Sequence, residues 1–242
     1  MLSEKPWRTE VVMQLCVAQI VCLVYGMLAA GALQKLGVHG FRHNESFGNI
    51  VAGTLSFQGA TWLLIPFFLR QHGISWAAAF GFRGLGIKRA LLMAIGFIVV
   101  VLPVVLLLQY ASIHALEKLG FPPDDQVAVK LLTDAKSVWT TVYLGVFAVV
   151  LAPVAEEFVF RGMLFPFVKQ LGFPKLAWFG VSFLFALIHL NAPTLVPLFV
   201  FALALTWLYD RTDNLLAPIT AHALFNAANL AVLLWQNRPA HA

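Results

Sequence analysis

An all-α fold that crosses a membrane several times is predicted by three observations. The 242-residue chain is 60% hydrophobic and 11% charged, with a mean hydropathy of +0.83. Soluble domains run about 45–50% apolar and 25% charged. The apolar residues also gather in runs that suit a hydrocarbon core about 30 Å thick, which takes roughly 20 helical residues to cross. Most connections between the runs are short, so the length accommodates about seven spans, within a range of six to eight, as a single integral-membrane domain over 1–242. A net charge of +5 would suggest nucleic acid in a soluble chain. Here the basic residues flank apolar runs, so membrane topology explains them and no nucleic-acid partner is expected.

The first run, Val11 to Leu33, is longer than the 7–15 residues of a signal-peptide core and reads as a retained span. The later spans are predicted at Phe47–Leu69, Ala90–Ile113, Val138 to about Ala155, Leu176–His189, Thr194–Tyr209 and Leu215–Trp235. The fourth continues past Pro153 as a kinked or offset helix, because proline removes a backbone hydrogen bond and bends the helix at that point. The longest connection, Glu117 to Ser137, holds a predicted short helix, Gln126–Ala135, capped by Asp125, that is expected over the site. Cys16 and Cys22 are six residues apart on one span and suit neither a disulfide nor a metal site. Alternate connections carry ten and six Lys and Arg residues. The positive-inside rule then puts the N-terminus in the cytoplasm and, with seven spans, the C-terminus outside.

Within the predicted spans only two acids occur, the adjacent Glu156 and Glu157, with Arg161 four residues beyond the second. A charge at mid-bilayer costs about 2.5–3.5 kcal/mol on insertion scales, so such residues face the protein interior and carry a functional expectation. Residues four apart share a helix face, whereas neighbours differ by about 100°. Glu157 and Arg161 are therefore expected to pair, leaving Glu156 to project elsewhere as a titratable group suited to general base or acid work. Two later spans each bring one histidine: His189, with Phe185 one turn earlier, and His222, with Asn226 one turn later on the same face. Together they offer a base, two imidazoles and a carboxamide, enough to activate water and stabilise the oxyanion of amide hydrolysis. A lone buried histidine is usually a hydrogen-bonded core residue, and a lone asparagine is usually a cap or an interhelical contact. The combination, with an acid left over after the ion pair, is what points to chemistry.

Glu156-Glu157-x-x-x-Arg161, Phe185-x-x-x-His189 and His222-x-x-x-Asn226, in this order on successive hydrophobic segments, resemble the three motifs of the CAAX-protease and bacteriocin-processing (CPBP, or Abi) intramembrane proteases, which include the Rce-type prenyl-protein endopeptidases. The resemblance covers a protease-like core of about 138–235. It implies that Glu156 and His189 activate water, that His222 and Asn226 hold the oxyanion, and that Glu157, Arg161 and Phe185 support the site. The implied substrate is a membrane-embedded or lipidated peptide, and the compact size suits the bacterial members and a bacterial plasma membrane. The family is described both as metalloproteases and as glutamate-dependent proteases. The chain has no His-Glu-x-x-His signature, and catalytic zinc usually takes three protein ligands. No metal is therefore assigned; a bound zinc would have to use Glu156, His189 and His222. Two other classes stay open on the residues alone: a transporter with Glu156, His189 and His222 as a proton relay, and a silent membrane scaffold. The peptidase reading requires these side chains to converge.

Overall fold

The computed structural model describes residues 2–41, 47–82, 84–121, 126–133 and 137–236. All regular elements among them are helices: α1 (Thr9–Lys35), α2 (Gly48–Gln71), α3 (Trp76–Ala79), α4 (Ile87–Lys118), α5 (Val127–Thr133), α6 (Val138–Gln170), α7 (Pro174–Leu187), α8 (Ala192–Thr212) and α9 (Leu216–Gln236). Six of these, α1, α2, α4, α6, α8 and α9, are long and apolar enough to cross a membrane. The chain is thus a multi-pass membrane protein. The predicted fifth span is the 14-residue α7; at 1.5 Å per residue it reaches only about 21 Å, short of a full hydrocarbon core. His189 lies just past its end, in the turn to α8.

Several helices extend beyond the apolar runs, because their ends are polar and capped. In α1, Glu10 stands in the first turn and Lys35 in the last, complementing the helix dipole. Asn191 caps α8 by accepting from the Thr194 amide at 3.2 Å, with Pro193 in the first turn. Glu10, Glu117 and Asp210 consequently fall inside spanning helices, but in their end turns. In the long connection, α5 begins at Val127, one residue past the expected start at Gln126. Its predicted cap Asp125 and its predicted end at Asp134 and Ala135 lie outside the described residues, as does Arg83 of the charge count. Gln126 Nε2 donates to Thr194 Oγ1 at 3.2 Å, which ties the middle of this connection to the first turn of α8. Both cysteines are free and half-buried.

Three π-helical segments interrupt the long helices, Leu55–Gly59 in α2 and Phe147–Leu151 and Phe158–Leu164 in α6. Each π segment of α6 is closely followed by a proline, Pro153 or Pro166. Proline withholds an N–H from the preceding turn, and widening that turn lets the helix run on as one element. This is the offset form of the predicted kink.

The chain divides into two units. One contains residues 6–75 and 127–144. In it α1 and α2 pack antiparallel, with Gln19 of α1 donating to the Ser56 and Phe57 carbonyls of the α2 π segment at 3.2 and 3.0 Å. The other contains residues 1–5, 76–126 and 145–242. Its core joins Ala90, Ala94, Ile98 and Val105 of α4 to Phe201, Leu205 and Leu208 of α8 and Ala217, Ala221 and Phe225 of α9. The small residues let the backbones approach, which replaces the weak solvent-driven attraction between helices in lipid with van der Waals packing. At one end of this unit Lys5 pairs with Asp213 at 2.7 Å, and Lys169 pairs with Asp210.

The turn between α8 and α9 depends on Gly81, whose φ is +73°; a Cβ there would stand 1.6 Å from the Asp213 carbonyl oxygen. Gly96, in mid-α4, has open space around it. Gly81→Ala is expected to lose about 2 kcal/mol or more, from both the left-handed backbone and the clash. Gly96→Ala is expected to gain roughly 0.5–1 kcal/mol. Thermal unfolding of the two variants in detergent checks the order, and a reversed ranking would contradict this turn geometry.

Candidate active site

Every motif residue predicted from the sequence lies in the second unit, and Glu157 is the common partner of Arg161 and His222. Its Oε1 accepts from Arg161 Nη1 at 2.8 Å, the expected i,i+4 pair, and both side chains are fully buried. The same oxygen accepts from His222 Nδ1 at 2.9 Å. That second contact was not expected, since the sequence assigned Glu157 to Arg161 alone. A carboxylate can only accept at this distance, so Nδ1 carries the proton and Nε2 faces the other way. Nε2 lies 3.9 Å from Glu156 Oε2. One imidazole therefore bridges the two adjacent glutamates. Glu156 keeps 11% side-chain exposure, against none for Glu157, so Glu156 is the less enclosed of the two acids.

Arg161 is held from three sides. Nη1 meets Glu157, Nη2 donates to the Ala202 carbonyl of α8 at 3.0 Å, and the guanidinium carbon stands 4.5 Å from the Phe185 ring centroid. Forked and stacked contacts of this kind suit arginine over lysine. At the neighbouring Gly162 a Cβ would come within 2.8 Å of the Phe80 ring, so the missing side chain lets Phe80 close on this turn of α6. Glu157 Oε2 and Arg161 Nε remain without hydrogen-bond partners. Incompletely satisfied buried ions are rare in purely structural packing and call for a specific explanation.

Phe185 organises the remaining histidine. Its ring lies edge-on to His222 at 5.7 Å and tilted to His189 at 5.0 Å, and its carbonyl accepts from His189 Nδ1 at 2.8 Å. The His189 proton is thereby placed on Nδ1, leaving Nε2 with its lone pair. The half-buried His189 is beyond ion-pair distance of both carboxylates, and Phe185 is the residue that touches both it and His222. Leu190, directly after it, has a left-handed φ of 47°, unusual for a bulky residue. Asn226, expected on the His222 face of α9, makes an interhelical contact: its Nδ2 donates to the Ala148 carbonyl in the first π segment of α6 at 2.7 Å. The amide has a second hydrogen for another acceptor.

Among the described residues no three His, Cys, Asp or Glu side chains come together to hold a metal ion, so Glu156, His189 and His222 do not form a ligand set. Two surface clefts run instead along α1, one lined by Val11, Gln14, Leu15 and Ala18 and the other by Met13 and Val17. Neither gathers an acid with a histidine; the paired acid and imidazole are at Glu156 and His222. Ala148, Phe201 and Ala202 could not be picked out from the sequence, since they act through a backbone carbonyl or an aromatic edge. Such contributions leave no motif, because any residue supplies a carbonyl and phenylalanine is frequent here.

Removing Arg161 alone strands a buried carboxylate. Arg161→Met is expected to cost roughly 3–5 kcal/mol, and the double variant Glu157→Gln/Arg161→Met to recover most of it. Unfolding in detergent reads both, and equal losses for the single and double variants would contradict the buried pair.

Residues 138–228 match the family described as type II CAAX prenyl endopeptidase Rce1-like. The match begins at the first residue of α6 and ends two residues past Asn226, so it contains every motif residue. No curated protein and no solved structure matches the chain.

Proposed function

With its α6–α9 region similar to type II CAAX prenyl endopeptidases, we propose that the protein is an intramembrane endopeptidase that hydrolyses an amide bond of a membrane-embedded or lipidated peptide. The observation that carries this reading is the bridging imidazole, with His222 Nδ1 2.9 Å from Glu157 and Nε2 3.9 Å from Glu156. In this reading the Arg161 guanidinium offsets the Glu157 carboxylate, leaving Glu156 as the base beside His222 Nε2.

In the proposed reaction, water bound at Glu156 gives it a proton as its oxygen adds to the scissile carbonyl carbon. The carbonyl electron pair moves onto oxygen, which is stabilised by the His222 Nε2–H and by the second N–H of Asn226. His189 Nε2, left as an acceptor by the Phe185 carbonyl, orients the water. The tetrahedral intermediate collapses with cleavage of the C–N bond, and the amine leaves with the proton held by Glu156. Glu157 holds the His222 ring through Nδ1, and Arg161 pairs with Glu157. A bacterial plasma-membrane location with a cytoplasmic N-terminus belongs to the same reading, on the distribution of Lys and Arg.

Glu156→Gln is expected to abolish cleavage while leaving expression and unfolding temperature unchanged. Mass spectrometry of membrane peptides from cells making wild-type or Glu156→Gln protein would show it and would identify the substrate. Purified protein given a farnesylated peptide ending in a CAAX box, and the same peptide without the lipid, tests the need for a prenyl group. Undiminished turnover by Glu156→Gln would remove it as the base. Cleavage is also expected to survive treatment with a chelator, with elemental analysis run in parallel; loss of activity restored by added zinc would overturn the metal-free reaction.

A further inference from the structure

The two donors that converge on Glu157 Oε1, Arg161 Nη1 and His222 Nδ1, come from α6 and α9. Both are backed by consecutive residues of α8, a helix that carries none of the motif residues. The Ala202 carbonyl accepts from Arg161, and the Phe201 ring stands edge-on to His222 at 5.6 Å and 80°. Phe201 is itself fully buried and stacked on Phe225 of α9 at 4.1 Å and 25°. A single hydrogen bond at Nδ1 leaves an imidazole free to swing about the N–O line, which would carry Nε2 away from Glu156. Edge contacts from Phe185 and Phe201 oppose that swing, and aromatic pairs in this geometry are directional.

We propose that Phe201 is a positioning residue that holds the His222 ring with Nε2 toward Glu156. This role rests on the peptidase reading. It makes α8 a working wall of the site even though that helix carries none of the motif residues.

The test compares Phe201→Leu with Phe225→Leu. Both remove the same ring stack, but Phe225 has no ring contact with His222. Cleavage of the farnesylated CAAX-box peptide is measured across pH, with Glu156→Gln alongside. Phe201→Leu is expected to lower kcat about tenfold or more with little change in KM, because misplacing a reacting group acts on the chemical step. Its pH–rate profile is expected to move, since the Glu156–His222 contact loosens, while Phe225→Leu keeps the wild-type kcat and profile. Phe201→Met serves the same comparison if the leucine variant does not fold. Wild-type turnover in the Phe201 variants, or an equal loss in Phe225→Leu, would overturn the role while an inactive Glu156→Gln left the peptidase reading standing. A fully active Glu156→Gln would remove that reading and this role with it.

Discussion

Burial of the Glu157 carboxylate is the constraint on which the rest of the site depends. A fully buried carboxylate is tolerated only with strong partners, and Glu157 has two on one oxygen, Arg161 and His222. Satisfying that charge fixes the rotation of α6, brings α9 to it through His222 and draws in α8 through the Ala202 carbonyl behind Arg161. Glu156, the next residue, then takes its position from its neighbour's requirement. The adjacency of the two acids is thus mechanically useful: one anchors three helices and the other stands where the anchored imidazole points.

The π segments are the second device. Each widened turn leaves carbonyls without their usual helical donors, and in lipid these must find partners inside the protein. Primary amides answer in both units: Gln19 donates to Ser56 and Phe57, and Asn226 donates to Ala148. The Gln19 contact involves no motif residue and serves structure alone. Asn226 combines a structural bond to α6 with a second N–H that remains to be donated, and it holds the helix of Glu156 to the helix of His222.

Most of the helical architecture was legible in the sequence, because a span needs a long apolar run and little else. The runs of α1, α2, α4, α8 and α9 predicted their helices to within a few residues, the differences arising at polar, capped ends such as Asn191. The α7 run, Leu176–His189, reads as a span although it is only 14 residues long, and it forms a 14-residue helix, because apolar composition marks a segment as membrane-compatible without requiring it to cross. The Glu157–Arg161 pair was legible because i,i+4 spacing is local geometry. The Glu157–His222 bond, which joins residues 65 positions apart, was not.

The sequence by itself determined that this is a multi-pass helical membrane protein and that its ionisable motif groups are concentrated on and beside α6, α7 and α9, because hydropathy and helical period act over neighbouring residues. Only the tertiary structure decided that His222 faces both glutamates, that His189 lies beyond ion-pair distance of them, and that the Ala202 carbonyl and Phe201 ring of α8 pack against Arg161 and His222. Those outcomes depend on which helices pack together and on the rotation that best satisfies a buried charge, and no local pattern encodes either.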